Sequence, residues 1–292
     1  MELFHIYAAF AAIGYAVAAM FSKQALARGA GVLRLSFVIN WLFVLVFATL
    51  LWGHEGAIPW EKLHYPIITG FLFFLGQVFT FTAIRFGDVS LQTPVMGTKA
   101  VFAVILAVLL GTEVVTLPMA LAAVVSMLGI AFLGFSGDGV ERVGRTLCLA
   151  LLSSFFFAGS DTMVGFFASD FGVPMFLFLA ILSNALLSLG LVPFFRESFR
   201  EMPRAAWPWI MAASLGMALQ ALLLNYTLAT YQNVAAVNVI YTTRGLWSVL
   251  LGAVALKLFA SASQPVAPKR IFILRLAGAF LMTLAIGILF RA

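Results

Sequence analysis

Charge is scarce in this chain. Only 10% of its 292 residues are Asp, Glu, Lys or Arg, whereas a water-soluble domain carries about a quarter, so an ordinary soluble globular fold is excluded. Cysteine is scarcer still. The single Cys148 cannot close an intramolecular disulfide, and its place in an apolar run marks it for packing rather than chemistry. The three histidines, His5, His54 and His64, lie near segment ends or in a loop, without metal-ligand spacing. There is no His-Glu-x-x-His, no Gly-x-Ser-x-Gly, no P-loop and no pair of membrane-embedded acids, so the common signatures of membrane enzymes are missing. No basic run accompanies the net charge of +6, which leaves a nucleic-acid partner unsupported. Neither a cofactor nor a metal is expected.

What the chain has instead is apolar length. Hydrophobic residues make up 63% of it and mean hydropathy is +1.09. Apolar segments fall at about 4–27, 33–52, 64–85, 89–111, 116–135, 145–168, 173–195, 207–230, 234–258 and 271–290, each close to the 20 or so residues that span a bilayer. The first runs through Ala27 without a basic leader, too long for a signal-peptide core, and counts as a membrane helix. Little sequence remains for a soluble domain. The longer connections, 53–63, 136–144, 196–206 and 259–270, are rich in turn formers or charges.

The two halves resemble each other when shifted by about 144 residues. The segment 87–111 then lies over 232–256, with Lys99 over Arg244, Thr98 over Thr243 and Phe102 over Trp247. Asn40 meets Asn184 and Gln77 meets Gln220 within one or two positions of the same shift. Five helices per half is an odd number, so the second half must enter the membrane in the opposite sense. The expected fold is all-α integral membrane, ten transmembrane helices in two inverted five-helix repeats, 1–139 and 140–292. Such repeats are characteristic of secondary transporters, with the substrate near the midplane between them.

The ten segments in two halves, the short Phe86-Gly87-Asp88 link between helices three and four, and the Gly111-Thr112-Glu113 that follows resemble the drug/metabolite transporter superfamily, EamA type. The second half departs from the Gly-x-Glu feature, reading Gly252-Ala253-Val254. The resemblance implies a ten-helix fold and a transport class, and does not extend to a substrate.

Basic residues are unevenly shared between the two membrane faces. Arg28, Arg34, Arg85, Arg142, Arg145, Arg196, Arg200, Arg204, Lys257, Lys269, Arg270 and Arg275 lie at or near the connections after odd-numbered helices, against Lys62 and Arg291 on the other side. The positive-inside rule then turns both termini away from the cytoplasm. Trp52, Trp60, Trp207 and Trp209 lie at segment ends, where an aromatic belt is expected.

Two cations lie deep. Lys99 is about ten residues into its segment, roughly 15 Å at 1.5 Å per residue, and Arg244 holds the same depth in the other half. An ion there costs at least about 2.5–3.5 kcal/mol, so both should face the bundle interior. Two readings stay open: a cationic site for a carboxylate or phosphate, or buried structural pairing. Asp161 is the lone acid deep in a segment and could neutralise one of the cations or carry a proton. Lys23, near the end of the first helix, can snorkel to the headgroups as an anchor or reach the cavity. Gln77 and Gln220 stand mid-helix, as do Asn40 and Asn184, fitting cavity lining or interhelical pairing equally. Asn225, Tyr226, Asn238, Tyr241 and Trp247 add polar or aromatic groups in the second half only. Pro94, early in the fourth helix and opposite Val239, would bend one half more than the other.

The function these residues point to is secondary transport of a small anionic or zwitterionic metabolite, such as an amino acid or organic acid, by alternating access. Lys99, Arg244, Gln77, Gln220, Asn225, Tyr241 and Trp247 are the expected substrate contacts, and Asp161 the ion-pair or proton-coupling residue; no catalytic residue is expected. The protein is expected as a monomer or homodimer in the plasma (inner) membrane, with a small-molecule solute and the lipid bilayer as partners. The alternatives are a lipid-handling protein or intramembrane enzyme acting on a headgroup, and an assembly subunit without a cavity.

Overall fold

The computed structural model describes residues 3–52, 56, 58–86, 92–93, 95–109, 140–195, 198–231, 234–248, 250–251 and 269–289, with short pieces between 117 and 132. Among them the regular elements are helical and no strand occurs. They are α1 (Leu3–Ala27), α2 (Val32–Phe47), α3 (His64–Phe86), α4 (Lys99–Leu109), α5 (Val140–Phe171), α6 (Val173–Leu189), α7 (Trp207–Tyr231), α8 (Val234–Thr242) and α9 (Lys269–Leu289). Five stretches, Leu3–Ala27, Val32–Leu51, Trp60–Phe86, Val143–Phe171 and Arg204–Tyr231, are long and apolar enough to cross a membrane, and Val173–Leu189 is a shorter apolar helix. The chain is a multi-pass integral membrane protein.

The interior is built from small residues. Along α1, Ala8, Ala11, Ala12, Ala18, Ala19 and Ala25 are fully buried, at the three- and four-residue spacing that lines one helix face. In lipid, helices gain nothing by hiding apolar area from one another, so close van der Waals approach must hold them together. The contacts are correspondingly tight. A Cβ on Gly216 of α7 would lie 3.0 Å from the Ala18 Cβ, and one on Gly70 of α3 would lie 2.2 Å from the Ala180 carbonyl oxygen of α6. Larger apolar side chains such as Phe10, Leu45, Phe166 and Phe280 are exposed, as befits a lipid-facing surface.

Packing is reciprocal between the halves. α1 of the first half runs along α7, the third helix of the second, and α5, the first helix of the second half, runs along α3. The same exchange relates α2 on α7 to α6 on α3, and α1 on α8 to α5 on α4. α2 and α6 meet directly, where the Asn184 Nδ2 donates to the Asn40 Oδ1 at 3.0 Å. The amides aligned by the repeat thus bond to each other.

Charged and aromatic ends sort as the loops demand. Gly29 and Gly31 take positive φ, 85° and 72°, to turn α1 into α2. Arg34 folds back over this turn, donating to the Gly29 carbonyl at 2.8 Å, the Ala30 carbonyl at 2.9 Å and the Ser198 carbonyl at 3.0 Å, so the connections after α1 and α6 share one face. Arg145 lies 3.9 Å from the Phe86 ring on that pattern. Trp52 and Trp60 are exposed, but Trp209 packs inward beneath Arg28, 4.5 Å away, so the aromatic belt accounts for only part of the tryptophans. Lys62 and Asp170 pair across the opposite side at 3.8 Å.

Several expectations need correction. The segment 145–168 is part of a longer helix that begins at Val140, because Glu141, Arg142 and Arg145 are adequate helix formers and continue the turn. The segments 33–52 and 173–195 leave α-helix geometry early, at Phe47 and Leu189, and finish in 3-10 turns; Pro193 lies in the second of these and cannot supply the backbone donor. Cys148 is exposed rather than packed inside. Lys23 does not reach for headgroups: its Nζ donates to the Ile84 carbonyl at 2.9 Å, satisfying an acceptor at the end of α3. Pro94, Gly111-Thr112-Glu113 and Lys257 lie outside the described residues.

Candidate functional site at two broken helices

The segments that carry the deep cations are not continuous helices. In the first half, a 3-10 turn at Met96–Thr98 immediately precedes α4, whose first residue is Lys99. In the second half, α8 stops at Thr242, Thr243 is a turn and helix resumes at Arg244. The two breaks occupy matching positions of the repeat. Each is closed by a threonine: the Thr98 Oγ1 donates to the Val95 carbonyl at 2.8 Å and the Thr243 Oγ1 donates to the Ile240 carbonyl at 2.6 Å. Each hydroxyl bonds back to a carbonyl three residues earlier, the local side-chain-to-backbone bond that Thr makes in helices. The bend expected at Pro94 lies outside the described residues; Thr98 and Thr243, aligned by the shift, mark the turns that are described.

The breaks bring Lys99 and Arg244 to the centre of the bundle, with 3% and 2% of their surfaces exposed. Each reaches the other half's break. The Arg244 Nη2 donates to the Met96 carbonyl at 3.0 Å. The Lys99 Nζ lies 5.1 Å from the ring of Tyr241, the residue that aligns with Met96.

Their partners differ in kind. Lys99 donates to Asp161 Oδ2 of α5 in a buried ion pair. Arg244 has no carboxylate partner among the described residues and is held between two phenol rings, 4.3 Å from Tyr241 and 4.7 Å from Tyr15, a cation–π arrangement strengthened by exclusion of water. Its Nε is buried without a hydrogen-bond partner in the protein. Tyr241 is fixed by its hydroxyl, which donates to the Gln220 Oε1 at 2.9 Å, while the Gln220 Nε2 donates to the Met217 carbonyl at 3.1 Å. Tyr15 donates to the Met96 sulfur at 3.2 Å.

Of the residues expected at the site, the structure gathers Lys99, Arg244, Asp161, Tyr241 and Gln220. Asn225 is buried, donates to the Ala221 carbonyl at 2.8 Å, and lines a separate crevice with Thr69, Phe73, Ser160 and Ile181 that has room for about one water molecule. Gln77 is buried with its Oε1 unpartnered. Trp247, 37% exposed, lies toward the outside of the bundle and away from the phenol rings. Sequence reasoning missed Tyr15, Met96, Gln92, Thr80, Ser153 and Ser154. Gln92 donates to the Met96 sulfur, Thr80 and Ser153 share a hydrogen bond at 2.6 Å, and Ser154 donates to the Ala150 carbonyl at 2.9 Å. The fully buried Gln92 offered the clearest overlooked signal, an amide in an apolar segment. No group of three or more His, Cys, Asp or Glu suited to a metal occurs among the described residues.

Residues 3–135 match the EamA-like transporter family. The EamA-like region covers the first half, with Lys99 and its helix break inside it, and stops short of α5. The matched family consists of transporters, not enzymes. No curated protein matches the chain significantly. Among the solved structures that match, one crystal structure aligns over 94% of this chain and 98% of its own at a TM-score of 0.59 and 18% identity. A likeness at that identity speaks for the fold alone, and its extent takes in the half beyond the EamA-like region.

Proposed function

We propose that the chain is a secondary transporter for a small metabolite bearing a carboxylate or phosphate, anionic or zwitterionic, moved by alternating access between two inverted halves, 1–139 and 140–292. The observation that carries this reading is Arg244: buried, without a carboxylate partner among the described residues, flanked by two phenol rings and with its Nε unpartnered. A guanidinium in that setting offers planar, bidentate recognition of an oxyanion, and an ion this deep needs compensation. Four observations support the inverted halves: the matching helix breaks, the Thr98 and Thr243 hydroxyls, the Asn40–Asn184 bond and the reciprocal packing. Discontinuous helices meeting near a midplane are the usual substrate site of such carriers.

In this conformation the cations are buried, so a solute reaches them only when the halves part. Separation must release the Arg244 bond to the Met96 carbonyl, which couples the site to the motion. Gln220 and Tyr241 shape the anion site, while Gln77 and Asn225 are assigned to the solute's path on either side of it. The cationic face would lie toward the cytoplasm of the plasma (inner) membrane.

The test is a thermal-shift screen of purified protein against anionic, zwitterionic and cationic metabolites, with Arg244→Gln and Lys99→Gln variants alongside. A ligand that binds the native state raises apparent stability as its concentration rises. Oxyanions are expected to stabilise the parent and not Arg244→Gln. If both variants melt early and no solute shifts the parent, the cations are structural and the reading is wrong.

A further inference from the structure

The site's substrate class follows from counting the charges that the halves contribute unequally. The shift that lays Lys99 over Arg244 lays Asp161 over Ala16, and Ala16 is fully buried in α1 beside Tyr15. α1 faces α8 as α5 faces α4, so the repeat offers Arg244 a methyl group where it offers Lys99 a carboxylate. Among the described residues the buried charged side chains are Arg34, Lys99, Asp161 and Arg244, and Arg34 belongs to the α1–α2 turn at one face. Among the described residues the interior beyond that turn therefore holds two cations and one anion.

Resting on the reading of Arg244 as the anion site, we infer that Asp161 sets the charge of the substrate: the protein selects a solute of net charge minus one, with a single carboxylate or equivalent oxyanion. A monoanion on Arg244 makes the buried site neutral. A dianion leaves one negative charge uncompensated, and a zwitterion leaves the site's positive charge standing; both are penalised where water is excluded. Asp161 acts without touching the solute, by consuming the charge of Lys99. The unpartnered Nε supplies the donor that the carboxylate takes, and Nη2 on the same edge of the guanidinium now serves the Met96 carbonyl.

The four-carbon acids butyrate, succinate and 4-aminobutyrate present charges of minus one, minus two and zero at neutral pH. Their apparent affinities are measured by thermal shift at fixed pH and ionic strength, on the parent and on Asp161→Asn, Lys99→Gln, Lys99→Gln/Asp161→Asn and Arg244→Gln. The parent should favour butyrate. Asp161→Asn, with two cations, should move the preference toward succinate by at least about tenfold. Lys99→Gln, with one charge of each sign, should move it toward 4-aminobutyrate. The double variant restores one net positive charge and should return to butyrate, and because it carries no orphaned charge it tests the idea even where a single variant does not fold. If butyrate binds through Arg244 but the preference order is the same in every variant, or if the parent favours succinate or 4-aminobutyrate, the charge rule is overturned while the anion site survives. If no acid binds the parent, or Arg244→Gln binds as well as the parent, the anion site itself falls and the inference with it.

Discussion

Gly70→Ala is the substitution for which the structure fixes both the direction and the size of the effect. Gly70 sits where α3 crosses α6, and an added Cβ would come within 2.2 Å of the Ala180 carbonyl oxygen, 2.8 Å of the Ser183 Cβ and 3.0 Å of the Asn184 nitrogen. A carbon rests against a carbonyl oxygen at about 3.3–3.6 Å, so the two helices must part by about 1 Å. Two of the three obstacles are backbone and cannot rotate aside. Overpacking of this kind costs about 1–3 kcal/mol, here at the upper end, and the better helix propensity of alanine returns up to about 1 kcal/mol, leaving a net loss of about 2 kcal/mol. Because α3 belongs to the first half and α6 to the second, the strain also falls on the Asn40–Asn184 contact beside it. The control is Gly287→Ala in α9, where nothing lies within 4 Å of the new Cβ and stability should hold or rise slightly. Both variants would be unfolded by heat in the same detergent as the parent. Equal melting temperatures for Gly70→Ala and Gly287→Ala would show that α3 and α6 do not approach as described, and the reasoning from close packing would fail.

Two further outcomes test the interior directly. Asp161→Asn or Lys99→Gln alone leaves a buried charge without its partner and should cost about 3–5 kcal/mol, whereas the double variant should lose much less than the sum; strict additivity in unfolding measurements would mean that the two side chains do not pair. Asn40→Leu strands the Asn184 amide and should cost about 1 kcal/mol, most of it recovered in Asn40→Leu/Asn184→Leu, and a double variant as unstable as two independent losses would remove the pair from the contact between halves.

The centre of the bundle is chemically asymmetric. Both halves present a cation at a broken helix, and both pack that break against the first helix of the other half. Only one of those first helices carries an acid. Single side chains, Asp161 beside Lys99 and Tyr15 beside Arg244, make the surroundings of the two cations differ.

The membrane character of the chain was decided by composition, since a surface with so few charges has no stable place in water and an apolar run of sufficient length must become a helix where the backbone has no other hydrogen-bonding partner. The burial of Lys99 and Arg244 was also legible in the order of residues, because each lies about ten residues into an apolar segment. What composition cannot encode is rotation. On helices apolar all round, as α7 is, no face is marked for the interior, so nothing in the sequence chose Lys99 over Arg244 for Asp161, brought Tyr15 beneath Arg244 or turned Trp247 outward. Tertiary packing made those choices, through the close approach of small residues that fixes how each helix is turned against its neighbours. The sequence determined that two cations would lie deep in apolar segments; the packed structure decided that one of them would pair with Asp161 and the other lie between two phenol rings.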